Sequence, residues 1–200
     1  MEELTILNVP FSEKDEAKLL SARWNPNIKK WYVPIGVNLS LFEKWMLVEN
    51  EFALPPLFIV KSAQECWKCS QPSDVYCIAS SGFLDEDGTD NEFTTFSNLE
   101  NIGIQVETLI QEYIPLYKLD YSKTVEGVYY MNHCQNCSVK LGDFFMHSEP
   151  GGAFFPMSEN SATKIIIFQL SAINKKVAIS GSPGYQSPDF INLYAERKKL

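Results

Sequence analysis

Apolar and polar positions along this 200-residue chain change character three times. Over the first sixty residues the apolar runs are short and punctuated. Glu3 to Val9 alternates enough for a short strand, stopped by Pro10, and Ser12 stands where an N-cap would, with Glu13, Asp15 and Glu16 in the following first turn. Ala17, Leu19, Leu20 and Ala22 give that helix a modest apolar face, Asn25-Pro26-Asn27 signals a turn, and Trp31-Tyr32-Val33 is a strand ended by Pro34. Ser40 can cap a second helix, in which Leu41, Phe42, Trp45, Met46 and Val48 fall near a 3.6-residue period. The expectation is a β-α-β-α unit over residues 1–54, too small to bury much by itself. Pro55-Pro56 marks the expected boundary to a larger domain over 57–200.

Beyond that boundary the apolar runs lengthen. Leu57-Phe58-Ile59-Val60 and Val75-Tyr76-Cys77-Ile78-Ala79 have the pattern of buried strands. Residues 82–101 turn polar and acidic, which predicts a surface loop or a mobile excursion. Ile104 to Tyr117 carries a helical pattern interrupted by Pro115, and Val128-Tyr129-Tyr130-Met131 is again strand-like. In the tail, Lys164 to Leu170 and Lys176 to Ser180 read as two strands. A final helix starts at Ser187-Pro188, with Arg197, Lys198 and Lys199 near its C-terminal end. The fold class expected from these elements is α+β.

Two of the strand-like runs lead into, or out of, the same short motif. Cys66-Trp67-Lys68-Cys69 and Cys134-Gln135-Asn136-Cys137 are both C-x₂-C hooks, with residues 70–133 between them. Two residues between cysteines let the backbone turn so that both sulfurs face one point, and two such hooks supply four thiolates to one tetrahedral ion. Four soft thiolates favour Zn²⁺, with iron as the lesser possibility. A closed site of this kind organises a fold and leaves no coordination position for a substrate. The fold expected for the larger domain is therefore zinc-ribbon-like, with a long insertion between its two knuckles. Zinc knuckles often carry Gly just after the second cysteine, where positive φ aims backbone N–H groups at sulfur; here Ser70 and Ser138 occupy those places. Cys77, in an apolar strand, reads as a small buried hydrophobe. His133 adjoins Cys134, but four correctly spaced cysteines leave it no necessary role as a ligand. His147 is compatible with either a supporting or a surface position.

Composition narrows the functional classes. Apolar residues make up 45% of the chain, enough for a real core. No apolar run is long enough for a transmembrane helix, and Met1-Glu2-Glu3 lacks the basic head of a signal peptide, so a cytoplasmic protein is expected. In a reducing compartment, paired C-x₂-C motifs indicate a metal before they indicate disulfides. The net charge of −8 is concentrated centrally: residues 61–161 hold 15 acidic against 5 basic side chains, whereas residues 162–200 hold 6 basic against 2 acidic. That acidic block argues against strong non-specific nucleic-acid binding unless cations gather on a separate face. Such a gathering exists at Arg23, Trp24, Lys29, Lys30, Trp31 and Tyr32, where aromatics interleave with cations as in surfaces that stack on bases and neutralise phosphates. The alternative for Trp24 and Trp31 is the core of a small domain. H-E-x-x-H, nucleophile-elbow, Walker and Gly-rich dinucleotide motifs are absent, as is the H-x-E of zinc deaminases.

Leu7-Asn8-Val9-Pro10-Phe11-Ser12-Glu13-Lys14-Asp15-Glu16-Ala17-Lys18, then Ala22-Arg23-Trp24-Asn25-Pro26 and Lys30-Trp31-Tyr32-Val33-Pro34, resembles a small bacterial domain of unknown function. That domain recurs as an accessory in primase-like, topoisomerase-like and conjugation-associated proteins. The likeness covers about the first fifty residues and departs at Ser21, where the family usually has Gly, and at Asn25, where it often has Asp. It implies work near DNA or RNA. The surroundings of the second hook, Tyr129 to Cys137 with Gly142-Asp143-Phe144-Phe145 and Glu149 to Pro156, resemble a bacterial zinc-ribbon-like family, with Cys66 to Cys69 matching its C-W-K-C first hook.

The function expected on these grounds is non-enzymatic: a binding or adaptor protein stabilised by one structural Zn²⁺, associated with nucleic acid or with a protein that processes it. The alternative is an acidic immunity- or inhibitor-type protein, whose Asp85, Glu86, Asp87 and Asp90 engage a basic protein such as a toxin. A hydrolase of unfamiliar type is the third possibility.

Overall fold

The computed structural model describes residues 5–26, 30–46, 51–184 and 188–200. The fold is mixed α and β, mostly strands with few helices, and the chain divides into two compact units, Met1–Glu49 and Asn50–Leu200.

In the first unit, β1 (Thr5–Leu7) is followed by a 3₁₀ turn (Phe11–Glu13) that leads into α1 (Lys14–Leu19); then come β2 (Arg23–Asn25), β3 (Lys30–Val33) and a 3₁₀ helix (Leu39–Trp45). The strands form one antiparallel sheet in the order β1-β3-β2. Strand alternation sends Leu7, Trp31 and Val33 inward, where they pack with Ala17, Ala22, Phe42 and Trp45. The order is thus β-α-β-β-3₁₀, which differs from the expected β-α-β-α at three points. Ser12 is not a cap, because it lies inside the 3₁₀ turn; Glu13 precedes the helix and accepts a hydrogen bond from the buried Trp45 indole at 2.7 Å. Arg23–Asn25 is a strand that completes a hairpin with β3. The second helix is 3₁₀ and is capped by Asn38, whose Oδ1 accepts from both the amide and the hydroxyl of Ser40. Asn27, Val48 and Lys29 lie outside the described residues.

The second unit is built on β4 (Phe52–Glu65) and β5 (Pro72–Asp85), a long antiparallel hairpin. Pro55-Pro56, expected as the domain boundary, lies inside β4. Proline cannot donate to a ladder. The strand accommodates the pair by a register shift between Leu54 and Leu57, and the Ser81 hydroxyl donates to the Pro55 carbonyl at 2.8 Å. Next come β6 (Gly88–Asp90), β7 (Thr94–Ile102), α2 (Ile104–Tyr113), β8 (Tyr117–Ser122), β9 (Gly127–His133), β10 (Lys140–Leu141), α3 (Phe144–His147) and α4 (Glu159–Ala162). The chain finishes with β11 (Ile166–Gln169), β12 (Val177–Pro183), α5 (Pro188–Tyr194) and β13 (Glu196–Lys199). β4 pairs with β5, β5 with β7, β7 with β12 and β12 again with β4, so these four strands close on themselves. β11 and β13 extend the sheet from β4, and β6 pairs with the end of β5. A second sheet has the order β10-β9-β8.

Residues 82–101, expected as a loop, are largely strand. Asp85 Oδ1 caps the amide of Asp87 at 2.9 Å and Gly88 takes φ +132°, so the acidic run turns tightly and returns as β6. The cationic tail also differs from expectation: Arg197, Lys198 and Lys199 lie in β13, parallel to β11, although the Arg197 guanidinium still donates to the Asn192 carbonyl of α5. α2 ends before Pro115, as its pattern predicts.

Over residues 57–60, β4 is buried on both faces, which explains the continuous apolar run there. Leu57 and Ile59 enter a core with Ile78, Phe96, Leu99 and Ile110. Phe58 and Val60 enter a second core with Ala79, Leu141 and Met146, and Cys66 and Cys134 belong to that second core.

Candidate metal centre

Each cysteine pair occupies the tip of a β-hairpin. The first tip joins β4 to β5 above the Glu65–Pro72 pair, and the second joins β9 to β10 above the His133–Lys140 pair. The two tips repeat the same backbone bonds. Cys66 N–H donates to the Gln71 carbonyl (3.0 Å) and Ser70 N–H to the Cys66 carbonyl (2.9 Å); Cys134 N–H donates to Val139 (2.9 Å) and Ser138 N–H to Cys134 (2.8 Å). Ser70 and Ser138 both take left-handed φ values, 54° and 59°. The knuckle turn is therefore made in the form glycine favours, with serine in it.

The four Sγ atoms lie within 4.8 Å of one another. Two of the approaches are crosswise between the hooks: Cys66 to Cys137 at 3.6 Å and Cys69 to Cys134 at 3.7 Å. A tetrahedron of thiolates about 2.3 Å from a central ion has edges of about 3.8 Å, so the sulfurs are spaced for metal ligation. They are much too far apart for disulfides, and all five cysteines are free. Cys66 and Cys134 are fully buried, while Cys69 and Cys137 reach the surface.

Titration of the thiols follows from this crowding. Burial raises Cys134, but the amides of Asn136 and Cys137 and the neighbouring Cys66 and Cys69 thiols outweigh it and hold the group down at about 6. For Cys69 the Gln71 amide favours the thiolate, yet burial and the three other sulfurs push it up to about 12. One negative charge is welcome at the centre and further ones are resisted. A bound dication would supply the charge that lets all four ionise.

Hydrogen bonds also run directly between the two hairpins. Trp67 Nε1 donates to the Lys140 carbonyl at 3.0 Å, Gln135 N–H to the buried Ser73 hydroxyl at 3.1 Å, and Asn136 Nδ2 to the Pro72 carbonyl at 3.0 Å. Below them, Asn132 of β9 pairs with the backbone of Tyr76 in β5 as a strand residue would. Its Oδ1 accepts the Tyr76 amide at 2.7 Å and its Nδ2 donates to the Tyr76 carbonyl at 2.9 Å. Sequence reasoning missed Asn132; its only signal was a polar residue in an otherwise apolar strand, two positions before a ligand.

His133 faces away from the sulfurs. Nδ1 sits 3.0 Å from the Leu116 carbonyl and 3.1 Å from that of Met131, and Nε2 sits 3.1 Å from Asp120 Oδ2. Burial raises Asp120, but Lys140, His133 and the Tyr121 amide bring it down to about 2. Cys77 is buried in the second core, where desolvation drives its thiol well above the ordinary range. His147 lies against Phe154 with the rings tilted by 39°, and burial lowers it to about 4.

The aromatic–cationic residues of the first unit separate by face. Trp31 is 8% exposed and lies in the core, with Trp24 across the hairpin, 48% exposed and edge-on to it. Arg23 and Tyr32 are cross-strand neighbours on the opposite face, which Lys30 shares. Of the acidic residues, Asp85 is half-buried at the end of β5, while Glu86, Asp87 and Asp90 are exposed in the β5–β6 hairpin.

Residues 5–46 match the family model described as a domain of unknown function (DUF5710). The chain is also similar to two proteins of Escherichia coli that each carry the name DNA primase TraC. One is 56% identical over 43 residues, 22% of this chain and 4% of the primase; the other is 54% identical over 39 residues, 20% and 3%. The chain thus spans only a small fraction of the length of these relatives. No solved structure matches it. Among the described residues, no helix is long and apolar enough to cross a membrane.

Proposed function

Starting from a first unit that matches a stretch of a DNA primase, we propose that this chain is a non-enzymatic, zinc-stabilised binding protein working alongside nucleic acid or a protein that processes it. The observation that carries the proposal is the meeting of Cys66, Cys69, Cys134 and Cys137 at tetrahedral spacing from hairpin tips far apart in the chain. These four thiolates would hold one Zn²⁺, whose chemistry here is structural: it neutralises charge and joins two hairpins as a zinc-ribbon-like domain. With all four positions taken by sulfur, no coordination site is left for a substrate. A reducing cytoplasm keeps the thiols available. The resemblance of the first unit to a primase segment supports the nucleic-acid context, and it is an argument from likeness.

Two measurements test this reading. Elemental analysis of the purified chain should give one zinc per molecule, with Cys134→Ser losing it; a folded, reduced chain that takes up no zinc when zinc is supplied would overturn the metal assignment. Ultraviolet crosslinking in the native host, followed by nuclease treatment, should recover the chain bound to nucleic acid or to a partner that is itself so bound. Recovery of neither would remove the proposed context.

A further inference from the structure

The sheet of the first unit has one face turned to its core and one turned away. Cross-strand pairing places Tyr32 of β3 between Ile6 of β1 and Arg23 of β2, and sets Lys30 opposite Asn25. Because Lys30 and Tyr32 are two residues apart on one strand, all five share a face. It is the face opposite Leu7, Trp31 and Val33, and none of the five belongs to the core. Arg23 is exposed and the other four are half-exposed.

Among the described residues of this unit, charge is sorted by layer. The three strands read Thr-Ile-Leu, Arg-Trp-Asn and Lys-Trp-Tyr-Val and contain no carboxylate. The described acidic side chains (Glu13, Asp15, Glu16 and Glu43) all stand on the helical segments. There they are largely matched: Lys44 pairs with Glu16 at 2.8 Å and Glu13 at 3.3 Å, and Lys18 with Asp15 at 3.5 Å. Among the described residues, this sheet face therefore carries the Arg23 guanidinium and the Tyr32 phenol and no carboxylate.

We propose that this face binds single-stranded DNA. The inference rests on the nucleic-acid context proposed above and gives it a location; DNA is chosen over RNA because the matched relatives carry the name DNA primase. Tyr32 offers its ring to an unpaired base, and Arg23, directly across from it on β2, offers its charge to an adjoining phosphate. Neighbouring strands are about 4.8 Å apart, so three strands make a platform roughly 10 Å across. That suits two or three nucleotides with their bases exposed. A duplex keeps its bases stacked on each other and can meet this face only through its backbone.

The test uses the full chain and a fluorescently labelled oligothymidylate, followed by anisotropy across a salt series, with circular dichroism confirming that each variant is folded. The wild type should bind the oligonucleotide more tightly than a duplex or RNA of equal length, and binding should weaken as salt rises. Tyr32→Ala should lower affinity about tenfold while Tyr32→Phe retains it. Arg23→Gln should weaken binding and reduce the salt slope by about 0.7, the share of one phosphate contact on a single strand. Lys14→Ala, on the helical layer, should bind as the wild type does. The proposal is overturned if the wild type fails to bind, prefers the duplex or RNA, or is unaffected by Tyr32→Ala and Arg23→Gln, or if Lys14→Ala weakens binding as much as they do. Nucleic-acid crosslinks in cells that persist in both sheet-face variants would refute this location while leaving the broader function standing.

Discussion

Ser70 and Ser138 each hold a backbone conformation that costs an L-residue about 1–2 kcal/mol, at the places where the knuckle turn must bend. Glycine would remove that strain but bring about 0.5–1 kcal/mol of extra chain freedom in the unfolded state. Ser70→Gly and Ser138→Gly are therefore each expected to stabilise the chain by roughly 0.5–1 kcal/mol, measured by denaturant unfolding. A loss of stability would mean that the serine side chains are themselves required. Asp143 presents a different single-residue problem. It is almost fully buried, and burial lifts its carboxyl to about 7 even though the Asn98 amide, 2.7 Å from Oδ2, favours the charged form. Among the described residues, its Oδ1 and the buried Tyr117 hydroxyl find no hydrogen-bond partner. A carboxyl whose folded pKa lies above its unfolded value stabilises the fold below the unfolded value, and that contribution is lost as pH rises through the folded one. Asp143 should thus lower stability between about pH 4 and pH 7 by up to about 4 kcal/mol. In Asp143→Asn that part of the pH dependence should disappear, which denaturant titrations at pH 4, 5.5 and 7 would reveal.

Among elements, the contact that positions the metal-bearing tips is the one between β5 and β9. These strands are not paired by backbone bonds; Asn132 supplies both a donor and an acceptor to Tyr76. Truncating it leaves two backbone groups and part of the core without partners, at a cost of about 2–4 kcal/mol. Asn132→Ala should therefore lower the unfolding free energy by that amount and weaken zinc retention against a competing chelator, although no ligand has changed. Asn132→Asp keeps an acceptor for the Tyr76 amide but sets a charge against the Tyr76 carbonyl, and it should recover little. If Asn132→Ala retained zinc as the wild type does, the two tips would be held by the cross-hairpin bonds of Trp67, Gln135 and Asn136 alone.

For the whole molecule, the metal would tie the β4–β5 hairpin to the β9–β10 hairpin across 64 intervening residues, residues 70–133. Those residues include β7, α2 and β8, which complete the first core of the second unit. Because a preformed site is absent from the unfolded chain, the binding free energy of the ion is added to that of folding. Stringent chelation should lower the circular-dichroism melting temperature by about 10 °C or more, and stoichiometric zinc should restore it. The same protection should be lost in mild acid, as protons compete for the four sulfurs. An unchanged melt after complete metal removal would show that hairpin contacts alone hold this unit.

Local chemistry was legible from the residue order. C-x₂-C spacing dictated two turns with converging sulfurs, Trp31-Tyr32-Val33 marked a strand, and Pro115 ended α2; each depends on residues a few positions apart. The acidic segment misled because turn residues and charge describe solvent exposure well and strand pairing poorly. Its edges become β6 and β7 only because β5 and β12 offer ladder partners. The same holds for Pro55-Pro56, absorbed into β4 by a bulge, and for the Glu196–Lys199 strand beside β11. The sequence by itself determined which residues could ligate a metal and how each hook bends. Only the tertiary structure decided that Cys66 meets Cys137 and Cys69 meets Cys134, that Asn132 joins β9 to β5, and that Arg23, Lys30 and Tyr32 share an outward face. The reason is physical: turns and faces are set by neighbours along the chain, whereas pairing is stabilised by groups that come together only when the chain folds.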